Sequence, residues 1–384
     1  GLADDLARDL IQNVPLRMFD TAGRCFADIR PSTKEFGWFR LNIFSQPLAE
    51  TTLRAVLERY PEVSLRQGIE VVSLTQDAGG VIVGTRDEEG RPGSVRARYA
   101  VAADGGRSTI RELAGIALEG ETHPHKWVVI DVDNDPLQDA FTGLYCDPAR
   151  PYVCAHMPND MRRWEFLLFP GEDADAMLER SAVDDLLRRH VADPSRLSVR
   201  RARIYTHHSR VAQTVVQGRV ILVGDAAHLM PPWAGQGLNT GIRDATNLAW
   251  KLAAVLRRGA SPDLVRTYES ERLPHARAMV DLSTQLGRML VPTRRSVAQA
   301  RDVALRSITW LPSVKEWILQ MRFKPMPRYD QGMAVATGTV DRSGAVGRLM
   351  VQPRVETETG EQPRLDDVLG PWFAVVAHNT DAAL

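Results

Sequence analysis

Cysteine is scarce in these 384 residues: Cys25, Cys146 and Cys154 are the only three. None stands in a CxxC or other zinc-ligand spacing, so neither a disulfide framework nor a structural metal is indicated, and a reducing cytoplasm is the expected compartment. Net charge is lacking too. The 48 Lys and Arg balance 48 Asp and Glu, which removes the electrostatic basis for a nucleic-acid partner. No uninterrupted apolar stretch approaches the roughly 20 residues needed to cross a bilayer, and the opening GLADDLARDL is acidic and amphipathic rather than a signal peptide, so no membrane partner is expected. The sequence holds no GxGxxG and no GxSxG, which excludes a dinucleotide fingerprint and a serine-hydrolase elbow within it.

What is present suits two or three globular domains, with 44% hydrophobic residues and an expected size of about 150 residues per domain. The chain opens at Gly1 in what reads as the middle of a helix running to Gln12 and ended by Asn13 and Pro15, so a preceding segment is expected. Leu16 to Ile29 reads as a hairpin around Asp20-Thr21-Ala22-Gly23, Phe36 to Phe44 as extended, and Leu48 to Tyr60 as a helix stopped by Pro61. Extended runs follow at Glu70 to Leu74, Gly80 to Thr85 and Ser94 to Ala103. Trp127 to Arg203 reads as short aromatic-rich strands with one helix near Ala174 to His190. Arg219 to Val223 is a buried strand, and a glycine-rich loop then leads to a helix from about Leu238 to Leu256. The apolar face of that helix is expected to use Leu238, Ile242, Ala245, Leu248, Leu252 and Val255. Further helices are expected over Asp263 to Met289 and Val297 to Met321, with a strand at Trp372 to Ala377.

The most informative stretch is Arg219 to Asn239, RVILVGDAAHLMPPWAGQGLN. A strand ending in Gly224-Asp225 presents a carboxylate at the carboxyl edge of a sheet, where it can accept hydrogen bonds from the vicinal hydroxyls of a ribose or ribityl chain. An ordinary strand-end turn is the plainer account of that dipeptide taken alone. Downstream, Gly235-Gln236-Gly237 permits close backbone approach and opens the helix, so free N–H groups and the positive dipole end face the loop. A second strand-turn-helix, YAVAADGGRSTI (Tyr99 to Ile110), carries Asp104-Gly105-Gly106-Arg107-Ser108.

Both motifs, with FSQPL at Phe44 to Leu48, resemble the class A flavoprotein aromatic hydroxylases of the para-hydroxybenzoate hydroxylase fold. The resemblance implies an α/β protein in which a Rossmann-like FAD-binding domain is interleaved with a β-sheet substrate domain. It marks Asp225 as the ribityl contact, sets Pro232 beside the reactive edge of the flavin, puts the backbone of Gly237, Leu238 and Asn239 against its pyrimidine end, and counts Gly224, Gly235 and Gln236 among the cofactor-binding residues. It also gives Gln46 a flavin contact and places Asp104, Gly105 and Arg107 near the pyrophosphate. The implied division is 1-44 (partial FAD and substrate segment), 45-116 and 207-290 (FAD-binding), 117-206 (β-rich substrate domain), 291-331 (helical), and 332-384 (linker and the start of a thioredoxin-like domain). The family begins with a strand, a GxGxxG turn and a helix that bind the ADP half of FAD. The sequence is therefore expected to be an internal part of a longer enzyme.

Segments such as GRCFADI (Gly23 to Ile29), EFGWFRLNIFSQP (Glu35 to Pro47), CDPARPYVCA (Cys146 to Ala155) and RIYTHHSRVAQ (Arg203 to Gln213) look like the subfamily acting on 3-(3-hydroxyphenyl)propionate. That likeness implies FAD, NADH and O2 as reactants, a small phenolic acid as substrate, a catechol acid as product, and a place in aromatic catabolism. The substrate carboxylate calls for Arg40 or Arg203, because Arg pairs bidentately with carboxylates. Pro232, His228 and Tyr205 are the candidates at the reacting end, with His207 and Tyr145 as further proton-exchanging groups, and Trp233 is a candidate substrate contact. No metal is needed. The alternatives are a related hydroxylase for another phenol or polyketide, and a non-catalytic fragment without FAD; whether the chain forms a homo-oligomer is left open.

Overall fold

The computed structural model describes residues 2–334, 346–370 and 372–374. In chain order its elements are α1 (Ala3–Ala7), β1 (Leu10–Gln12), β2 (Leu16–Phe19), β3 (Cys25–Ile29), β4 (Asn42–Phe44), α2 (Gln46–Leu57), β5 (Ile69–Asp77), β6 (Gly80–Asp87), β7 (Pro92–Ala97), β8 (Ala100–Ala102) and α3 (Thr109–Leu113). Next come β9 (Leu118–Asp133), β10 (Thr142–Tyr145), β11 (Tyr152–Met157), β12 (Met161–Leu168), α4 (Arg180–Leu187), β13 (Ser198–Ala212), β14 (Val216–Gln217), β15 (Val220–Leu222) and β16 (His228–Leu229). Helices α5 (Gly237–Arg258), α6 (Asp263–Leu290), α7 (Arg295–Thr309), α8 (Pro312–Leu319) and α9 (Leu365–Leu369) follow.

The architecture is mixed α/β, and its largest sheet has the order β16-β13-β9-β12-β11-β10-β2-β3. Strands β2 and β3 join it from near the start of the chain. Their hairpin turns where Asp20 accepts hydrogen bonds from the Ala22 and Arg24 amides and Gly23 takes a positive φ. The strand period of two splits β9 and β12 cleanly. Val128, Ile130, Val132, Trp164, Phe166 and Leu168 pack on Val183 and Leu187 of α4, and each large side chain so buried contributes about 2–3 kcal/mol. The alternate residues face a cleft. A second core surrounds the fully buried β15, which pairs in parallel with β8 and is closed by Tyr268 of α6, whose hydroxyl donates to the Leu222 carbonyl at 2.8 Å.

Several expectations change. The first helix ends at Ala7, because Leu10–Gln12 pairs antiparallel with Asn42–Phe44. The run from Ser94 to Ala103 divides into β7 and β8, which belong to different sheets. The helix expected over Val297 to Met321 breaks into α7 and α8, since Pro312 cannot continue a helix but suits a first turn. On α5 the expected apolar face holds only in its second half, where Leu248, Leu252 and Val255 pack on the core; Leu238 and Ile242 are about half exposed, while Thr240, Asp244, Asn247, Lys251 and Ala254 also point inward. The polar members of that face are tolerated because α6 supplies their partners. Lys251 Nζ and Asn247 Nδ2 each lie 2.6 Å from Glu271, and Asp244 pairs with Arg272. The strand expected at Trp372 to Ala377 is absent from Trp372–Ala374, and its remainder lies outside the described residues.

Candidate active site

Strands β8 and β15 lie side by side and parallel, with Ala102 opposite Leu222, so the two glycine-rich motifs leave from adjacent carboxyl ends. That is where open α/β sheets bind ligands. Beyond β8, Gly105 turns at φ +81, Asp104 accepts the Ile110 amide at 3.1 Å, and Ser108 caps α3 through the Arg111 amide at 3.0 Å. Buried Arg111 joins the two motifs by donating to the Gly106 and Ala226 carbonyls at 3.1 and 3.3 Å. Arg107 is exposed.

Beyond β15 the chain turns at Gly224, whose φ of +57 excludes most side chains without strain. A Cβ on Gly241 of α5 would lie 3.2 Å from Gly224 Cα, so the loop rides directly on the helix. Asp225 faces the cleft and hydrogen-bonds to no described residue. The protein around it raises its pKa by desolvation, against a weaker opposing effect of His228. A 3-10 turn, Pro232–Ala234, ends in Gly235 at φ +60 and leads into α5. No side chain caps α5, which leaves the amides of Gly237, Leu238 and Asn239 free at its first turn. Buried Gln236 donates to the Ala234 carbonyl at 2.9 Å, and its Oε1 has no partner; Asn239 donates back to the Gly235 carbonyl at 3.0 Å.

Of this loop, Asp225 and Pro232 border a cleft of about 1100 Å³, which they share with Gln46, Arg203 and Tyr205. Its floor is the polar face of the large sheet. There Asp131 lies between Arg163 and Arg201, accepting from Arg163 Nε at 2.7 Å and Arg201 Nη2 at 2.6 Å. Despite desolvation, the two guanidiniums hold the Asp131 carboxyl below its ordinary range. Gln46, at the start of α2, donates to Glu50 at 3.0 Å. His207 closes one end of the cleft, and burial pushes its pKa down to about 4, so the ring is neutral at pH 7.

Behind His207 lies a second cavity of about 360 Å³, bordered by His123, His125, Trp127, Trp233 and Arg288. Trp127 stacks on His207 at 5.7 Å and meets Trp233 edge-on at 4.9 Å. Trp233 therefore belongs to this side chamber rather than to the large cleft. The aromatic partition fits because Gly287 of α6 has no side chain: a Cβ there would come within 2.5 Å of Trp233 Nε1.

Three expected roles change on this geometry. His228 is buried, with Nε2 2.7 Å from Asp244, so it holds the loop rather than facing substrate. Arg40 lies outside the cleft, 3.3 Å from Glu35 and 3.2 Å from the Gln320 carbonyl. Tyr145 is stacked between Phe19 and Tyr152 at 4.3 and 4.2 Å, and burial raises its pKa to about 12. The motif reading overlooked Asp244, Arg111 and Glu165. The only signal for Glu165 was its alternation with Arg163 on one face of an otherwise buried strand.

An FAD fits the residues present. The Asp225 carboxyl lies in the cleft lining without a hydrogen-bond partner, and the same loop goes on to the orphaned Gln236 Oε1 and the three free amides, groups that hydroxyls and a polar ring edge would satisfy. Comparison with known proteins agrees. Residues 1–283 match the family described as FAD binding domain, and residues 347–384 match the one described as HcaD C-terminal domain. The 3-(3-hydroxy-phenyl)propionate/3-hydroxycinnamic acid hydroxylase 2 of Burkholderia vietnamiensis (strain G4 / LMG 22486) is 55% identical over 381 residues, which cover 99% of this chain and 70% of that protein. The correspondingly named hydroxylase of Mycobacterium avium (strain 104) is 43% identical, with coverage of 99% and 67%. Among solved structures, the flavin-dependent monooxygenase PieE in complex with FAD and substrate superposes with a TM-score of 0.81 at 25% identity, covering 96% of this chain and 74% of that one.

Proposed function

Because this chain belongs to the FAD-binding class A aromatic hydroxylases, we propose that it hydroxylates a phenol carrying a short carboxylate tail, of the 3-(3-hydroxyphenyl)propionate type. The oxygen enters ortho to the existing hydroxyl, with NADH and O2 as co-reactants, and the product is a catechol acid. The observation that carries the substrate class is Arg203. Its side chain faces the large cleft and forms no ion pair or hydrogen bond with any described residue, whereas its neighbours Arg163 and Arg201 are both taken up by Asp131. A cation left unpaired beside a flavin site is suited to an anionic substrate group.

Bound FAD would supply the hydride acceptor and the site of oxygen activation. Asp225 would anchor its ribityl hydroxyls, Gln46 and Pro232 would flank the ring, and the amides of Gly237, Leu238 and Asn239 would stabilise negative charge at the pyrimidine end. Asp104, Gly105 and Arg107 would lie toward the pyrophosphate. The protein orients the phenol over the sheet, and the Trp127, His207 and Trp233 partition limits water at the far end. Tyr205, exposed in the cleft on the same strand as Arg203, is a further proton-exchanging group of this reading. On the same reading, residues 45-116 and 207-290 form the flavin-binding part, and 117-206 contributes most of the substrate sheet. Three free cysteines suit a reducing compartment such as the cytoplasm, and no helix among the described residues is long and apolar enough to cross a membrane.

The test is NADH oxidation and product analysis of the FAD-loaded protein over a panel of phenols. Stimulation by 3-(3-hydroxyphenyl)propionate with formation of a catechol acid is expected. Equal turnover of neutral phenols would overturn the substrate assignment.

A further inference from the structure

The cleft floor has a second unpaired polar group, on the strand across from Arg203. In the register of the large sheet, Val129 of β9 stands opposite Glu165 of β12 on one side and Arg203 of β13 on the other. All three side chains border the cleft. With strands about 4.8 Å apart, Glu165 and Arg203 are separated by roughly 10 Å of backbone, bridged by an apolar valine. Of the neighbouring rows, one is already satisfied and the other is largely apolar. Arg163, Asp131 and Arg201 bind one another, and the next row carries Leu167, Trp127 and Tyr205.

We propose that Glu165 is the partner of the substrate's phenolic hydroxyl, with the aromatic ring lying over Val129 and the acid tail on Arg203. This rests on the substrate class proposed above. The Glu165 carboxyl has no hydrogen-bond partner among the described residues, although it is half-buried in the cleft wall. A polar group in such a place is costly unless something from outside satisfies it. Burial raises its pKa, and the Asp131 charge adds to that effect, while Arg163 opposes it. A carboxyl so placed can accept a hydrogen bond from a phenol O–H. A rigid ligand with one anionic end and one hydroxyl end matches the cation and carboxyl on either side of Val129; a simple phenol would leave Arg203 unpaired.

The experiment measures dissociation constants of FAD-loaded protein for 3-(3-hydroxyphenyl)propionate, for 3-phenylpropionate, which lacks the hydroxyl, and for 3-ethylphenol, which lacks the carboxylate. Wild type is compared with Glu165→Leu, Glu165→Gln and Arg203→Met. Glu165→Leu should weaken the two hydroxyl-bearing ligands about tenfold and leave 3-phenylpropionate within about twofold. Glu165→Gln, which keeps a hydrogen-bonding end, should recover most of that loss, while Arg203→Met should weaken only the two acids. A uniform loss of all three ligands in Glu165→Leu, or no loss of any, overturns the assignment of Glu165. If wild type binds 3-ethylphenol as tightly as the hydroxy acid, the substrate class fails instead, and Glu165 is still judged by the ratio between ligands with and without the hydroxyl.

Discussion

The Nε2 of His228 lies 2.7 Å from the carboxylate of Asp244, and both side chains are almost completely buried. The same carboxylate accepts the Gly224 amide at 3.1 Å and Arg272 Nε at 2.9 Å. One side chain on α5 thus fixes both ends of the segment that carries Asp225, and ties it to α6. The buried polar face of α5 follows from this arrangement: an apolar residue at 244 would release the flavin loop.

Replacing Asp244 with Asn should therefore cost about 3–5 kcal/mol, the usual effect of removing one member of a buried ion pair. Arg272 would keep its charge without a counter-charge, and His228 would lose its strongest partner. Urea unfolding of the purified variant checks this, together with its retained FAD, which should fall in parallel. An unchanged midpoint would show that the contacts with Gly224, His228 and Arg272 are energetically replaceable.

For Asp225 the expected signs are opposite in the free and the FAD-bound protein. Its pKa is raised on folding, so ionising it lowers stability as pH rises through the window between the unfolded and folded values. Asp225→Asn without FAD should be at least as stable as wild type at pH 7, with the difference shrinking as pH falls toward 4. Affinity for FAD should drop about ten- to a hundredfold, as for lost hydrogen bonds to a charged acceptor. Thermal melts of the FAD-free protein and flavin fluorescence titration measure the two effects separately. A variant that retained wild-type FAD affinity would remove Asp225 from the ribityl contact.

His207 gives a pH signature. With its pKa depressed to about 4 by burial, helped by His123 and His208, it takes up fewer protons than in the unfolded chain between about pH 4 and 6.5. Its contribution to stability is complete above pH 6.5 and is lost as pH falls through 4. His207→Gln should reduce the acid sensitivity of stability in that window, and NMR titration of the wild-type ring should show no midpoint above pH 5. A midpoint near 6.5 would mean that the ring is solvated in solution, and that the wall between the two cavities is not closed.

Much of the site could be read from the sequence because its parts are local. The strand, Gly224-Asp225, the proline-rich turn and Gly235-Gln236-Gly237 occupy about twenty consecutive residues, and the structure keeps that order from β15 to the start of α5, with Asp225 and Pro232 on the cleft. What escaped depends on pairing across the chain. Arg40 and Arg203 look equivalent in sequence, yet Glu35 and the end of α8 occupy the first and nothing occupies the second. Periodicity marked Leu238 and Ile242 as core and passed over Asp244 and Lys251, because it cannot foresee Glu271 and Arg272 on the next helix. Glu165 was equally hidden, since its importance comes from a register that sets it across Val129 from Arg203.

Gly287 tests whether the aromatic partition matters to the chemistry. A methyl group there would approach Trp233 Nε1 to 2.5 Å, inside any permitted contact, and the facing atoms belong to a rigid indole packed edge-on against Trp127. Gly287→Ala must therefore push Trp233 toward the cleft or shift α6, at a cost of about 1–3 kcal/mol typical of overpacking. A glycine within a helix also carries a propensity penalty of about 1 kcal/mol that alanine relieves, so the net loss of stability should be small. The effect on function should be larger. With Trp233 displaced, the wall that separates the side chamber from the reacting end no longer closes, and a larger fraction of consumed NADH should fail to yield hydroxylated product. The check is the ratio of catechol formed to NADH oxidised, measured beside the melting temperature. A ratio equal to wild type, in a variant whose tryptophan fluorescence shows that the indole has moved, would mean that the partition serves packing alone.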